Sequence, residues 1–127
     1  MSRQTIKTDR APAAVGPYAQ GVVSRGLLFT AMQIALDPAT GEMVGDSAPV
    51  QFEQCMRNIE AIVTAAGGRL DDIVKTTVYM TDIKDFVAVN QVYARFFPDE
   101  LPARGVLQAA ALPKGALIAL EAVARVS

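Results

Sequence analysis

The stretch PVQFEQCMRNIEAIVTAAGGRLDDIVKTTVYM, residues 49–80, decides the fold because its hydrophobic period changes once along its length. From Pro49 to Ala66, apolar residues recur at steps of three and four, which predicts a helix with one buried face. Gly67-Gly68 ends this helix, since glycine accepts the left-handed conformation that follows a last helical turn. The β-branched and aromatic run from Ile73 to Met80 then predicts a strand.

The sequence on either side of this stretch completes a single domain, residues 1–127. It predicts the strands Tyr18–Ser24, Leu27–Gln33, Arg104–Ala110 and Leu117–Val126, and a second helical stripe through Phe86, Val89, Tyr93 and Phe96. The resulting order, β-β-α-β-α-β-β, indicates an α+β domain with two helices on one face of a sheet. The last strand is apolar on both faces, so we expect a partner subunit to cover the face that the helices leave open.

Composition excludes several kinds of active site. The chain has no histidine, which excludes Ser-His-Asp and Cys-His triads and histidine-ligated metals. Its one cysteine, Cys55, lies on the buried stripe of the first helix and is predicted to be a core residue. A single cysteine excludes an internal disulfide and fits a reducing compartment. The acidic residues do not cluster at metal-ligand spacing, and no glycine-rich phosphate loop occurs. We therefore expect neither a metal nor a nucleotide cofactor.

Charge and hydropathy indicate a soluble, self-associating protein. The net charge of −1 offers no broad basic surface to a nucleic acid. The N-terminal segment lacks the apolar core of a signal peptide, and no apolar run reaches the ~18 residues of a membrane span. We expect a cytoplasmic protein. Apolar residues make up 51% and charged residues 20% of so small a chain, which favours an oligomer over a monomer with an alanine-rich surface.

Two charged residues are candidates for chemistry. Glu121 projects from an apolar strand, where it is either a proton-transfer group facing a pocket or part of a structural ion pair or strand edge. Arg104 follows Leu101-Pro102-Ala103, and its planar fork of donors matches a carboxylate. It is either the anchor for a small carboxylic acid at a subunit boundary or an ordinary surface arginine.

Two uncharged residues are weaker candidates. Tyr18 follows the Gly16-Pro17 turn, so it either lines a pocket or wedges into the core. Asn90 lies beside the stripe of the second helix, where it either hydrogen-bonds a ligand or caps a neighbouring loop.

Several blocks, in order along the chain, resemble the RidA (YjgF/L-PSP) family. They are APAAVGPYAQ at 11–20, AAG at 65–67, DIVKTTVY at 72–79, VNQVY at 89–93 with Phe96-Phe97, PAR at 102–104, and IALEA at 118–122. The resemblance implies a chorismate-mutase-like fold assembled as a homotrimeric barrel, with ligand clefts between subunits. It also implies a deaminase, a hydrolase acting on C=N bonds, that needs no metal or organic cofactor. Its substrates would be 2-aminoacrylate, 2-iminopropanoate and 2-iminobutanoate, and its products 2-keto acids and ammonia.

The resemblance also assigns roles at matching positions. Arg104 matches the arginine that grips the substrate carboxylate, and Glu121 matches the glutamate that holds or activates water. Tyr18 and Asn90 match cleft-lining positions. Val106 stands where a cysteine is common and where the backbone makes the contact, so the substitution is compatible with function.

The chain departs from the family pattern at three further positions. Ala31-Met32 replaces the frequent Ser-Gly, and Gly105 replaces a small hydroxyl residue, so the cleft is less polar and Met32 reshapes it. These departures leave open a divergent member acting on another imine, and a trimer that binds carboxylates without turnover. RNA cleavage or translation inhibition, also attached to the family name, is disfavoured by the charge and by the lack of a basic aromatic stripe.

Overall fold

The computed structural model describes residues 3–126, which form one six-stranded sheet with two α-helices. The strands are β1 (Gln4–Ile6), β2 (Gly21–Ser24), β3 (Leu27–Thr30), β4 (Ile73–Met80), β5 (Ala103–Gln108) and β6 (Ile118–Arg125); the helices are α1 (Ala48–Ala65) and α2 (Phe86–Phe96). The predicted α+β class, with both helices on one face of the sheet, is confirmed.

Helix α1 forms where the hydrophobic period predicts it. Its apolar stripe is buried, including Phe52 and Cys55, and Pro49 lies in the first turn, where its missing N–H leaves no unmade helical bond. At the other end Gly67 adopts a φ of 90°, the left-handed conformation that terminates the helix. The prediction that Cys55 is a core residue is confirmed.

The sheet has the strand order β1-β2-β3-β6-β4-β5. β4 and β5 are parallel, whereas the other neighbours are antiparallel. Thr76 and Val78 of β4 and Leu120 of β6 are buried beneath the helices. Since side chains alternate along a strand, Thr77 and Glu121, which pair in register, lie on the opposite face, called here the open face.

Several strand bounds differ from the prediction: β2 begins at Gly21 and not at Tyr18, and β5 ends at Gln108 and not at Ala110. β1 was not predicted because a three-residue edge strand has too short a pattern to detect. β3 ends at Thr30 instead of Gln33 because the chain bulges there: Phe29 pairs with Val123 and Gln33 with Leu120, so residues 30–32 lie opposite only 121–122. Such an insertion bends the strand and redirects its side chains.

Apolar side chains on the open face remain in solvent in a single chain. Leu27 and Phe29 of β3 are 37% and 46% exposed, and Leu107 of β5 is 45% exposed. Each alternates with a neighbour that faces the helices or the sheet edge. Neither α-helix found within residues 3–126 combines the length and the apolar character needed to span a membrane.

Candidate active site

Arg104 lies on β5, at the edge of the sheet, and extends over helix α2. Its register partner on β4 is Thr76, which places the side chain on the helix-covered face. Its Nη1 donates a hydrogen bond of 2.7 Å to Oδ1 of Asn90. Its Cζ lies 4.7 Å from the ring centroid of Tyr93 and 5.2 Å from that of Phe86. The structure therefore brings together two of the predicted site residues, Arg104 and Asn90, and holds the guanidinium on three sides.

Within residues 3–126, Arg104 has no carboxylate partner. The only ion pair found there joins Arg57 to Glu53 on α1, at 3.1 Å. Only the bond to Asn90 engages the Arg104 guanidinium among hydrogen bonds of the described residues. A cation that is held in place but not neutralised is ready to receive an anion from outside the chain, and its free donors suit a carboxylate.

The sequence did not reveal the aromatic residues around Arg104. The apolar period places Phe86 and Tyr93 in the stripe of α2, and Tyr93 is indeed buried. Its hydroxyl lies 2.6 Å from Oγ1 of Thr76, which is fully buried. Burial raises the pKa of Tyr93, against opposing effects from the Thr76 hydrogen bond and the Arg104 charge. The sequence places Arg104 at the start of a predicted strand. The register that places this arginine over α2 cannot be predicted from one sequence.

Glu121 lies on the open face, away from Arg104. It is half-buried and lines a small depression of about 200 Å³ with Phe29, Thr30, Lys75 and others. Tyr79 is its diagonal neighbour on the same face, because Thr77 pairs with Glu121 and Tyr79 with Ala119. The pKa of Tyr79 is raised by burial, and also by the charge of Glu121 and hydrogen bonding to that carboxylate. The acid therefore has an aromatic hydroxyl beside it.

Tyr18, Ala31 and Met32 line one groove of about 500 Å³. Tyr18 is 51% exposed and Met32 is 39% exposed, so neither is a core residue. The backbone N–H of Ala31 donates a 2.8 Å hydrogen bond to the carbonyl of Gln20, which ties the bulge at residues 30–32 to the N-terminal loop. Because this bulge lies opposite Glu121, the groove and the glutamate are neighbours around the junction of β3 and β6.

Val106 lies two residues beyond Arg104 on β5 and pairs with Val78. Its half-buried side chain packs against the core, and its backbone lies in the edge strand. β5 has one strand neighbour, and the backbone groups along its other edge have no strand to pair with. This placement is compatible with the predicted role of the backbone at this position.

The predicted site residues thus form two separate groups in one chain. The arginine half-site comprises Arg104, Asn90 and Val106, and the glutamate half-site comprises Glu121, Tyr18, Ala31 and Met32. β4 alone separates Arg104 on β5 from Glu121 on β6, which at the usual spacing of about 4.8 Å per strand puts these two strands on the order of 10 Å apart, and the bulge at residues 30–32 lies about one strand further away. Arg104 and Glu121 also project from opposite faces of the sheet. A single chain therefore does not bring them together, and their predicted meeting requires a second copy.

The described part of the chain, residues 3–126, contains no group of three or more His, Cys, Asp or Glu side chains able to hold a metal ion. The chemistry available in both half-sites is that of a guanidinium, a carboxylate, hydroxyls and backbone amides.

Comparison with known proteins gives consistent matches over almost the whole chain. Residues 8–126 match the family model described as Endoribonuclease L-PSP. RutC family protein y4sK of Sinorhizobium fredii is 48% identical over 120 residues, covering 94% of this chain and 95% of that protein. The 2-iminobutanoate/2-iminopropanoate deaminase of Homo sapiens is 42% identical over 122 residues, covering 96% and 89% respectively.

Among solved structures, E. coli TdcF with bound serine superimposes with a TM-score of 0.93. It is 42% identical, and the match covers 98% of this chain and 99% of TdcF. The fold is therefore shared along almost the full length of both molecules.

Proposed function

This chain belongs to the endoribonuclease L-PSP (RidA) family, and we propose that it hydrolyses reactive 2-imino acids and their enamine tautomers to 2-keto acids and ammonia. The observation that carries the proposal is Arg104, a cation held by α2 and without an acidic partner among residues 3–126. The substrates 2-aminoacrylate, 2-iminopropanoate and 2-iminobutanoate each offer the carboxylate that it lacks. The human relative carries the name of this activity.

The active cleft in this proposal lies between neighbouring subunits of a homotrimer. Exposed Leu27, Phe29 and Leu107 on the open face support burial of that face against a second copy. The separation of the half-sites supports the same arrangement, since the arginine half-site of one subunit can only meet the glutamate half-site of another. A cyclic trimer repeats one such contact three times.

Arg104 binds the substrate carboxylate through two parallel hydrogen bonds and so fixes the neighbouring imine carbon. Glu121 orients a water molecule and accepts one of its protons as the oxygen attacks that carbon. The C–O bond forms while the C=N bond becomes single and its nitrogen takes up a proton from solvent. The proton on Glu121 then passes to the nitrogen, and Glu121 accepts the proton of the new hydroxyl as the C–N bond breaks, C=O forms and ammonia leaves. Glu121 finally returns that proton to solvent. The sum is imino acid plus water giving keto acid plus ammonia.

Positioning and one carboxylate are enough for this chemistry, so the proposal includes neither a metal nor an organic cofactor. An imine carbon beside a carboxylate is already electrophilic and becomes more so when its nitrogen is protonated. The proposal also includes a cytoplasmic location, supported by Cys55, which is buried as a free thiol.

A pyridoxal-phosphate serine or threonine dehydratase releases the proposed substrates and provides the test. Keto-acid release is followed with the dehydratase alone, with the wild-type protein added, and with Arg104→Ala added. We expect the wild-type protein to accelerate release above the uncatalysed rate and the variant to lose most of that acceleration. No acceleration by the wild-type protein, or equal acceleration by a folded Arg104→Ala protein, would refute the proposal.

Met32, which is exposed in the groove that Tyr18 and Ala31 also line, favours a second candidate function, a trimer that binds small carboxylates without turnover, because it makes the cleft less polar. Calorimetric titration with 2-oxobutanoate separates the two. Binding that depends on Arg104, together with no acceleration in the dehydratase assay, would identify the binding protein; binding with acceleration identifies the enzyme.

A further inference from the structure

The guanidinium of Arg104 is more tightly held than its position suggests. An arginine at the end of an edge strand ordinarily samples many rotamers, and each must be frozen when a ligand binds. Here Phe86, Asn90 and Tyr93 contact the guanidinium together. They are spaced i, i+4 and i+7, so they lie on one face of α2. One helix therefore supplies the whole set of contacts.

The Tyr93 ring is itself fixed from behind. Its hydroxyl forms the 2.6 Å hydrogen bond to Thr76, and its ring packs 5.8 Å from Phe52 and 5.0 Å from Phe97, measured between centroids. Thr76 is also the register partner of Arg104 on the neighbouring strand. Arg104 and Thr76 are therefore paired neighbours in the sheet. Arg104 lies over the Tyr93 ring, and the Thr76 hydroxyl orients that ring.

We propose that Phe86 and Tyr93 are positioning residues. Their rings form an aromatic platform that the Thr76 hydroxyl holds in place and that orients Arg104 towards the substrate carboxylate. The inference rests on the proposed function for its ligand but on the contacts within one chain for its geometry. Nη1 donates to Asn90, whereas Nε and Nη2 make no hydrogen bond within residues 3–126 and leave their N–H groups for a ligand. Neither aromatic residue touches the reacting atoms in this account; both act through Arg104.

The chain offers a matched control for this platform. Cζ of Arg57 on α1 lies 6.0 Å from the ring centroid of Phe96 on α2, and the Arg57 guanidinium already donates a hydrogen bond to Glu53. Phe96→Leu therefore removes an aromatic ring from beneath an arginine without touching the proposed site. Phe86→Leu and Tyr93→Leu make the same kind of change beneath Arg104. Both Phe86 and Phe96 are only partly buried, which limits the effect of either change on folding.

The first readout is the order of the Arg104 side chain without ligand, from relaxation of its Nε–H group, with Arg57 as an internal reference. We expect Phe86→Leu and Tyr93→Leu to lower the order of Arg104 and leave Arg57 unchanged, and Phe96→Leu to leave Arg104 unchanged. An Arg104 side chain as ordered in Phe86→Leu as in the wild-type protein would overturn the platform.

The second readout is affinity for 2-oxobutanoate, compared with kcat for imine hydrolysis. Losing a cation–π contact should weaken binding about two- to thirty-fold and raise KM, with a smaller change in kcat. Thr76→Val should weaken binding because the Tyr93 ring loses the hydrogen bond that orients it. The double variant Thr76→Val/Tyr93→Phe should recover stability, because no buried hydroxyl is left unpaired, but it should not recover affinity. Equal affinity in all these folded variants would overturn the inference. A wild-type protein with an ordered Arg104 but no turnover and no binding would instead refute the proposed function and leave the platform standing.

Discussion

Replacing Arg104 by lysine keeps the positive charge and removes the planar fork, so it isolates what the guanidinium contributes. Lysine is a point charge that cannot make two parallel hydrogen bonds to a carboxylate. It also stacks less well than the flat guanidinium on the Tyr93 and Phe86 rings, which lie 4.7 and 5.2 Å from Cζ in the native protein. The substitution therefore tests geometry at constant charge.

The expected loss follows from these contacts. One charge-assisted hydrogen bond contributes roughly 1.5–3 kcal/mol, and an exposed cation–π contact about 0.5–1 kcal/mol. Together they amount to about 2–4 kcal/mol, which corresponds to a fall of roughly 30- to 1000-fold in kcat/KM. Arg104→Ala should lose more, since the charge goes as well. Because Arg104 is exposed, neither change should move the thermal midpoint by more than a few degrees.

The assay is the dehydratase-coupled release of keto acid, measured on the wild-type protein and both variants at equal concentration of folded protein. Binding of 2-oxobutanoate by calorimetry gives an independent value of the same loss. A lysine variant within threefold of wild type in kcat/KM would show that a bidentate clamp is not what Arg104 provides, and the assignment of its role would be wrong.

Four further predictions concern three other residues. Glu121→Gln should abolish the acceleration of keto-acid release while leaving 2-oxobutanoate affinity within about threefold (roughly 0.65 kcal/mol); equal loss of binding would show that Glu121 does not act on water. Burial raises the pKa of Cys55 to about 12, from an ordinary value of 9.0. Its thiol should therefore resist a thiol reagent at pH 8 until the protein is unfolded. Fast labelling of the native protein would contradict that burial. Because the folded-state pKa is the higher one, the contribution of this group to stability is present below pH 9 and should fall as the pH rises from 9 towards 12, which urea unfolding of Cys55→Ala against wild type measures. Phe52→Ala should lower the free energy of unfolding by about 3–5 kcal/mol, since Phe52 is fully buried against Tyr93; a loss below 1 kcal/mol in a urea titration would contradict its place in the core.

Most of the architecture was predictable because its signals are local. The stripe from Pro49 to Ala66 differs from α1 by one residue at each end, and Ile73–Met80 is β4 itself. The signals failed where the structure depends on distant partners. β3 ends early because the bulge at residues 30–32 is set by its pairing with β6. The segment before β2 is held by the Gln20 side chain, which donates hydrogen bonds to the carbonyls of Thr8, Ala11 and Pro12, contacts that no local pattern predicts.

The site was only partly predictable for the same reason. The residue types of Arg104 and Glu121 indicated their chemistry, and the Asn90 contact follows from the arrangement of β5 beside α2. The faces from which the two charges project depend on strand register, which no local pattern contains. Tyr93 could not be predicted as a neighbour of the site for a different reason. Its aromatic ring fits the apolar stripe of α2, and only the structure shows that Arg104 lies over it.

The central claim is that one active site takes Arg104 from one subunit and Glu121 from its neighbour, and subunit mixing tests it directly. Arg104→Ala and Glu121→Gln proteins, each inactive alone, are unfolded together in equal amounts and reassembled. In a cyclic trimer every mixed assembly contains one site with both native residues, so about a quarter of the wild-type activity should return. Activity no higher than that of the separate parents, in reassembled trimers shown to contain both chains, would contradict the shared site.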